Sequence, residues 1–396
     1  MRGRVDRQAS MFVAYSIEER IPEDHPLRRV KAWADAVLAD MRRDFDAAYS
    51  NTGRPGIPPE QILKALLLRA LYAIPSERRL MEAIEYNLLY RWFIDLPPDQ
   101  PAWTAKVFCM NRDRFLAHDL ARKFFDRVIV EAMRRDLVSH DHFSVDGTLI
   151  RSWASHKSVK QIEEIERDSN KDNGDGNGNG NSNSNSTGGG RDVSVDWHGE
   201  RRSNATHRST TDPDARLARK GRGKESHLCH SGHVLMENRS GLCLDLTIDR
   251  AADGRAERRE ALRMLHRLER RHGLRPRTLG ADAGYDDGGF LDELETEHEI
   301  VPHVPTRTGP ITAADAKGEA RRRARQRKGT VGYELSQRVR KRVEQVIGWV
   351  KTTAGLTRTR FIGHERIEMD AKISGAAFNL LRMANITAPQ PAAGKT

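Results

Sequence analysis

The stretch HFSVDGTLI, residues 142–150, alternates Phe143, Val145, Gly147 and Leu149 with Ser144, Asp146, Thr148 and Ile150. A period of two is the pattern of a half-buried β-strand, whose successive side chains point to opposite faces of a sheet. Asp146 sits awkwardly there. Aspartate is disfavoured in strands, and a carboxylate drawn out of water needs a partner, commonly a metal ion, to offset its burial. Asp282 poses the same problem in RTLGADAGYDD (277–287), where a short apolar run breaks at the carboxylate. Taken singly, each reads as a turn or capping aspartate. A third stretch, QRVRKRVEQVIGWVK (337–351), carries one carboxylate among bases. Val339, Val343, Val346 and Val350 recur at helical spacing, and Gln337, Arg340, Glu344 and Lys351 fall on the opposite side. The spacing predicts one helix with a core face and a polar face.

Together these residues resemble the Asp-Asp-Glu transposases of bacterial insertion sequences, specifically the group typified by insertion sequence five. The strings VDGTLIRSWASHKS, TDPDARLARKGRGKE, GHVLMENRSGL, LGADAGYDD and SQRVRKRVEQVIGWVKT follow the family's order across nearly the whole chain. The family's C-terminal signature is Tyr, two residues, Arg, three residues, Glu, six residues, Lys. Arg340, Glu344 and Lys351 fit it, and Gln337 replaces the Tyr.

The resemblance implies a ribonuclease-H-like α/β fold in which Asp146 and Asp282 lie on neighbouring strands and Glu344 comes from a helix beside them. It implies that these three are catalytic and hold metal. Three converging carboxylates suit two divalent cations about 3.5–4 Å apart. Oxygen donors favour Mg²⁺, with Mn²⁺ as a substitute. On the family's scheme, water cuts at the element end and the freed 3′-hydroxyl attacks target DNA. Arg340 and Lys351 would hold phosphates or orient the carboxylate. The implied partners are double-stranded DNA, as element ends and as target, and further copies of the chain on that DNA.

Composition agrees with a polyanionic partner. Lys and Arg number 67 against 56 acids, a net charge of +11, and the pI is near 9.7. A hydrophobic content of 37%, with a mean hydropathy of −0.70, leaves no run fit for a membrane span. The start, MRGRVDRQASMFVAY, carries no long apolar segment or small-residue cleavage site, so no secretory signal is read and a cytoplasmic location is expected. Cys109, Cys229 and Cys243 are too few and scattered for a disulfide framework.

Residues 1–137 read as a helical region for DNA binding and bridging, and 138–396 as the catalytic domain, interrupted at about 165–195. Residues 26–49 predict one amphipathic helix. QILKALLLRALYAI is apolar almost all round and predicts a buried helix; Ser76 is placed to cap the next, with a stripe of Leu80, Ile84 and Leu88. Two helices joined by a tight turn fit either a helix-turn-helix or a plain bundle. The resemblance favours DNA binding. Residues 104–137 predict a further helix leading into the Asp146 strand.

Of the 21 residues Asn170–Gly190, 17 are Asn, Gly or Ser, a composition that buries no core and predicts disorder. A hairpin follows, 233–239 and 242–248, turning at Ser240 and Gly241. His227, Cys229, His230 and His233 fit no standard zinc module, and strand or surface histidines explain them better. A charged helix at 255–270, a strand ending at Asp282, a helix near 287–297 and the strand IVPHVP complete a mixed sheet flanked by helices. The run RRRARQRK holds six basic residues, Arg321, Arg322, Arg323, Arg325, Arg327 and Lys328. It is expected to be a loop that contacts phosphate. Two other functions share these features: a DNA-binding regulator without catalysis, disfavoured by the intact triad, and a nuclease that hydrolyses DNA without joining it.

Overall fold

HFSVDGTLI forms strand β1 (His142–Arg151), and the sheet is built around it. The computed structural model describes residues 16–388 except 51, 53–55, 173–201, 222, 252–253 and 313. The remaining strands are β2 (Val159–Gln161), β3 (His207–Ser209), β4 (Arg216–Ala218), β5 (His227–Glu237), β6 (Cys243–Arg250), β7 (Thr278–Gly280) and β8 (Val301–His303). On one edge β1 pairs antiparallel with β5, from Phe143 opposite Glu237 to Arg151 opposite Cys229. On the other edge it pairs parallel with β7, which pairs parallel with β8. The far edge of β5 carries β6, with a bulge between Leu235 and Met236, and β4 at its start. The order β6-β5-β1-β7-β8, three antiparallel strands followed by two parallel to the central one, is that of a ribonuclease-H-like domain. A separate ribbon joins β2 and β3.

The helices before the sheet are α1 (Ile17–Arg20), α2 (Pro26–Ala39), α3 (Arg42–Ala48), α4 (Pro59–Leu71), α5 (Glu77–Tyr86), α6 (Leu88–Phe93), α7 (Ala105–Ala117) and α8 (Leu120–Arg134). Two of the predicted long helices are broken. Residues 26–49 bend at Asp40 and Met41, which lets both Met41 and Phe45 reach the core. Residues 104–137 bend at Asp119, a left-handed residue with φ 53° whose short polar side chain tolerates that region. Helix α4 is buried on nearly every side, and the Ser76 hydroxyl accepts from the Arg79 amide as a cap. Leu88 does not extend the stripe of α5, because that helix ends at Tyr86 and Leu88 starts α6 partly exposed.

Helix α9 (Ile162–Asp172) follows β2, and the rest of the Asn/Gly/Ser tract lies outside the described residues. Parallel strands need a crossover, and α10 (Gly254–His272) leads from β6 to β7 as α11 (Gly288–Thr296) leads from β7 to β8. The chain closes with α12 (Ala316–Arg327), α13 (Val331–Arg340), α14 (Val343–Thr352) and α15 (His364–Ile386). The predicted helix over 337–351 is therefore two, parted at Lys341 and Arg342. The break serves two surfaces: α13 packs on β1, β7 and β8, whereas α14 packs on β1, β5 and α15. No helix among the described residues is long and apolar enough to cross a membrane.

Helix α15 is buried along most of its length and packs on β6 and on α2, α4 and α8, so one core runs through the N-terminal helices and the sheet. Gly375 is needed there, since a Cβ would stand 2.8 Å from the Phe125 ring. Lys372 lies buried in the same helix and donates to Asp245 of β6 at 2.7 Å; the other oxygen of Asp245 accepts from Arg267 of α10 at 2.8 Å. Burial works to raise the Asp245 pKa, yet Lys372 and Arg267 hold it below the ordinary range. Removing one partner of a buried ion pair costs about 3–5 kcal/mol. With Arg267 still in place, Lys372→Met should lower stability by about 3 kcal/mol in urea denaturation. A change under about 0.5 kcal/mol would show that this network carries no stability.

Candidate active site

Asp146 lies midway along β1, opposite Val234, and its Oδ1 accepts from the Gly147 amide at 2.8 Å. The parallel pairing of β1 with β7 ends at Ser144 beside Gly280. Two residues further along each chain stand Asp146 and Asp282, which makes them neighbours. Asp282 follows β7 rather than ending it. It caps a single 3₁₀ turn, Ala283–Tyr285, and its Oδ1 accepts from the Gly284 amide at 2.8 Å. Glu344 projects, exposed, from the first turn of α14, which packs against β1.

Burial, with the nearby charges of Asp282 and Glu344, raises the Asp146 pKa to about 6 against the opposing pull of the Gly147 amide and Arg340. The fold thus brings the three acids into one field. Their oxygens do not all fall within 4.8 Å of one another, the limit met among the described residues by a different cluster. An open arrangement suits two ions better than one, because a metal pair about 3.5–4 Å apart spreads its ligands.

A fourth acid, Glu257 of α10, was invisible to sequence reasoning. Its Oε1 lies 3.3 Å from where a Cβ on Gly147 would stand, and burial followed by the charges of Asp282 and Asp146 raises its pKa. In the sequence it is one Glu among Arg255, Arg258 and Arg259, the look of a solvated helix face. Only the crossover of α10 over the sheet places it against β1. Beside it the Tyr285 hydroxyl is buried with no partner, and Arg258 donates to the Gly284 carbonyl at 2.9 Å, tying α10 to the Asp282 turn.

The polar side of the 337–351 stretch is divided. Gln337 donates to the His303 carbonyl at 2.6 Å, bridging α13 to β8. Arg340 stays close enough to Asp146 to lower its pKa, and its Nε is buried without a hydrogen-bond partner among the described residues. Lys351 donates to Thr148 Oγ1 at 3.0 Å and the Leu149 carbonyl at 2.9 Å, against the second half of β1. The basic run is no loop but the helix α12, turned inward on Ala320 and Ala324. Arg321 grips Asp286 through two bonds of 2.9 and 2.8 Å, Arg323 and Arg327 both pair with Glu295, and Arg322 pairs with Glu319. Arg325 donates to the Gly309 and Arg307 carbonyls, and Lys328 is exposed. Asp286 is a buried carboxylate that fixes the Asp282 turn to α12. In TDPDARL, Asp212 accepts from Ser152 at 2.6 Å and from His230 at 2.9 Å, and Asp214 accepts from the His364 amide, holding that loop to β1, β5 and α15.

The family described as "Transposase domain (DUF772)" matches residues 15–114, and that described as "Transposase DDE domain" matches residues 193–380. The chain belongs to the Asp-Asp-Glu transposases of insertion sequences. It is a DNA transposase, and its class uses divalent metal. Asp282 and Glu344 lie inside the second match, whereas Asp146 precedes it and joins them through the β1–β7 pairing. No curated protein matches the transposase. Among solved structures, "Crystal structure of the Mos1 Strand Transfer Complex" aligns over 82% of this chain and 86% of that one at 12% identity. Its TM-score of 0.19 is too low to carry an argument.

The donor set fits a hard cation: carboxylates alone, with burial and like charge raising the pKa of Asp146, a cost that a cation would offset. Geometry at the Asp282 turn is tight, since a Cβ on Gly284 would stand 2.9 Å from Asp282 Oδ1. Gly284→Ala should push that carboxylate aside and lower DNA cleavage by about 100-fold, while the melting temperature moves by under about 4 °C. Cleavage unchanged in Gly284→Ala would show that Asp282 acts from another position.

Proposed function

We propose that Asp146, Asp282 and Glu344 hold two Mg²⁺ ions, replaceable by Mn²⁺, and that this site cuts DNA at the ends of an insertion sequence and joins the freed 3′-end to target DNA. The observation that carries this reading is the register of β1 on β7, which sets Asp146, midway along β1, beside Asp282, just past β7, with Glu344 feeding the same field. Such ions activate the attacking oxygen and stabilise the leaving one. The chain's own residues prepare the site. The Gly147 and Gly284 amides each fix one oxygen of an aspartate, which limits how the carboxylate can turn. Arg340, beside Asp146, is placed to meet a phosphate, and Lys351 steadies β1. Glu257 adds a fourth negative charge that strengthens cation binding. The N-terminal helices take the end sequence, copies of the chain assemble on the two ends, and the ordered strings assign the transposase to the group typified by insertion sequence five.

Asp146→Asn, Asp282→Asn and Glu344→Gln should each abolish Mg²⁺-dependent cleavage and joining while sparing DNA binding, because an amide keeps size but loses the charge that holds a cation. Glu334→Gln, on an exposed face of α13, should match the wild type. Activity surviving in Glu344→Gln but lost in Glu334→Gln would move the site to another helix face. Cleavage without joining of labelled ends would reduce the reading to a nuclease.

The partners of α12 set its electrostatic contribution. Arg321, Arg322, Arg323 and Arg327 are held by carboxylates, which leaves Arg325 and Lys328 as the run's candidates for phosphate. Replacing all six basic residues should therefore flatten the log–log salt dependence of DNA binding by at most about two units. A loss of about five would mean that the ion pairs open on DNA, and no loss would mean that the run is only solvated.

A further inference from the structure

The most compact set of metal-ligating side chains lies away from the triad. His156 sits in a 3₁₀ turn, His156–Ser158, just past β1, and faces Glu225 and His227 at the start of β5. One ligand atom from each of the three lies within 4.8 Å of the other two. The imidazole centroids are 6.1 Å apart, and His227 Nε2 stands 3.6 Å from Glu225 Oε2. Both ring nitrogens of His156 are shielded from water and make no hydrogen bond of ordinary geometry among the described residues, and the Ser226 backbone lies near enough only to pull the pKa upward. Buried nitrogens so weakly partnered call for an explanation, and an ion site supplies one.

We propose that His156, Glu225 and His227 form a second metal site, distinct in chemistry from the triad, that takes a Zn²⁺-class ion. Two imidazoles and one carboxylate select zinc and its neighbours, whereas Mg²⁺ prefers oxygen alone. Zinc binds such donors at about 2.0–2.2 Å in a tetrahedron, which requires the present ligand atoms to close by roughly 1 Å and leaves a fourth position for water. The Glu225 side chain is 59% exposed and His227 26%, so an ion enters from solvent and the movement falls on the mobile partner. Burial, followed by His227 and Arg202, lowers the His156 pKa, with Glu225 and the Ser226 backbone opposing.

The site's place in the fold gives it a structural role. The Ser152 amide donates to the Leu228 carbonyl at 2.8 Å, and beyond that bond nothing backbone-to-backbone joins the turn at His156 to β5 among the described residues. An ion there would clamp the exit of β1 to the entry of β5 across the base of the inserted segment. From Asp146 to Arg151 the strand rises about 17 Å, so the clamp and the triad are separate sites. The strand histidines considered from sequence do not assemble: His230 pairs with Asp212 and His233 is buried in β5, while His227 joins the neighbouring Glu225 and His156 from another segment.

The test uses the untagged full-length transposase, stripped with chelator, loaded with Zn²⁺ in excess Mg²⁺ and titrated against a chromophoric chelator. One tightly held zinc per chain is expected in the wild type and in the Asp146→Asn, Asp282→Asn, Glu344→Gln triple variant. His156→Ala and His227→Ala should weaken it by more than about 100-fold, beyond the ~10–100-fold of outer-shell changes. Co²⁺ in its place should give the visible absorption of a four-coordinate site, absent from both variants. Glu225→Gln, at an exposed side chain, should weaken zinc by about tenfold or more and decides the matter if either histidine variant fails to fold. Zinc held equally by the wild type, Glu225→Gln and the folded histidine variants would overturn the proposal, as would zinc lost only in the triple variant.

Discussion

Strand β1 is hydrogen-bonded on both edges, and the site depends on that double constraint. Its full-length pairing with β5 fixes the register, and a slip of one residue would carry Asp146 to the other face of the sheet. The pairing with β7 lasts only three residues, from His142 to Ser144. Past that point the two parallel strands part, and the crevice at their carboxyl ends, where sheet direction also changes, is the general place for a ligand site in such sheets. Asp146 and Asp282 stand just there. A longer β7 would have closed the gap with backbone hydrogen bonds and buried both carboxylates without room for a cation.

Charge in this protein is arranged against its average. The chain carries +11 overall, yet Asp146 lies in the field of Asp282 and Glu344, and Glu257 in that of Asp282 and Asp146. Many arginines are committed to holding that arrangement rather than to a long-range field. Arg321 immobilises Asp286 beside the Asp282 turn, and Arg258 clasps the Gly284 carbonyl from the opposite side. An arginine paired with a carboxylate presents little net charge to a distant phosphate. Net charge therefore overstates the positive surface open to DNA, and Arg340, which feels Asp146, differs in kind from Arg321, Arg323 and Arg327 of α12, which are paired with other carboxylates.

What the sequence made legible follows from how local each signal was. The strand at 142–150, the valine stripe at 343–350 and the Ser76 cap are set within a few residues, and the structure carries all three; burial within β1 does not alternate, since Ser144 and Ile150 are buried along with Phe143 and Val145 while Leu149 is half-buried. The helix breaks are different, because a bend at Met41, Asp119 or Lys341 is decided by the surface that each half must cover. Helix α12 was hidden for a related reason: six basic residues masked a face of only Gly318, Ala320 and Ala324, too small to register as an apolar stripe, although Asp315 was available as its cap. Glu257 and the His156 cluster depend wholly on tertiary contact. No local spacing announces them.

Helix α15 settles how the parts act on one another. It shares its buried faces between β6 and the helices α2, α4 and α8, and a buried ion pair between Arg69 and Asp370 crosses the same boundary. Turning the N-terminal helices against the sheet would expose that face and separate the pair, a loss large beside the few kcal/mol by which domains normally move. On the proposed division of labour, DNA gripped by the N-terminal helices is therefore presented to Asp146 and Asp282 by one continuous body. Adjustment must come from the periphery: the exposed Glu344 on the short α14, and the segments that enter and leave the sheet around His156.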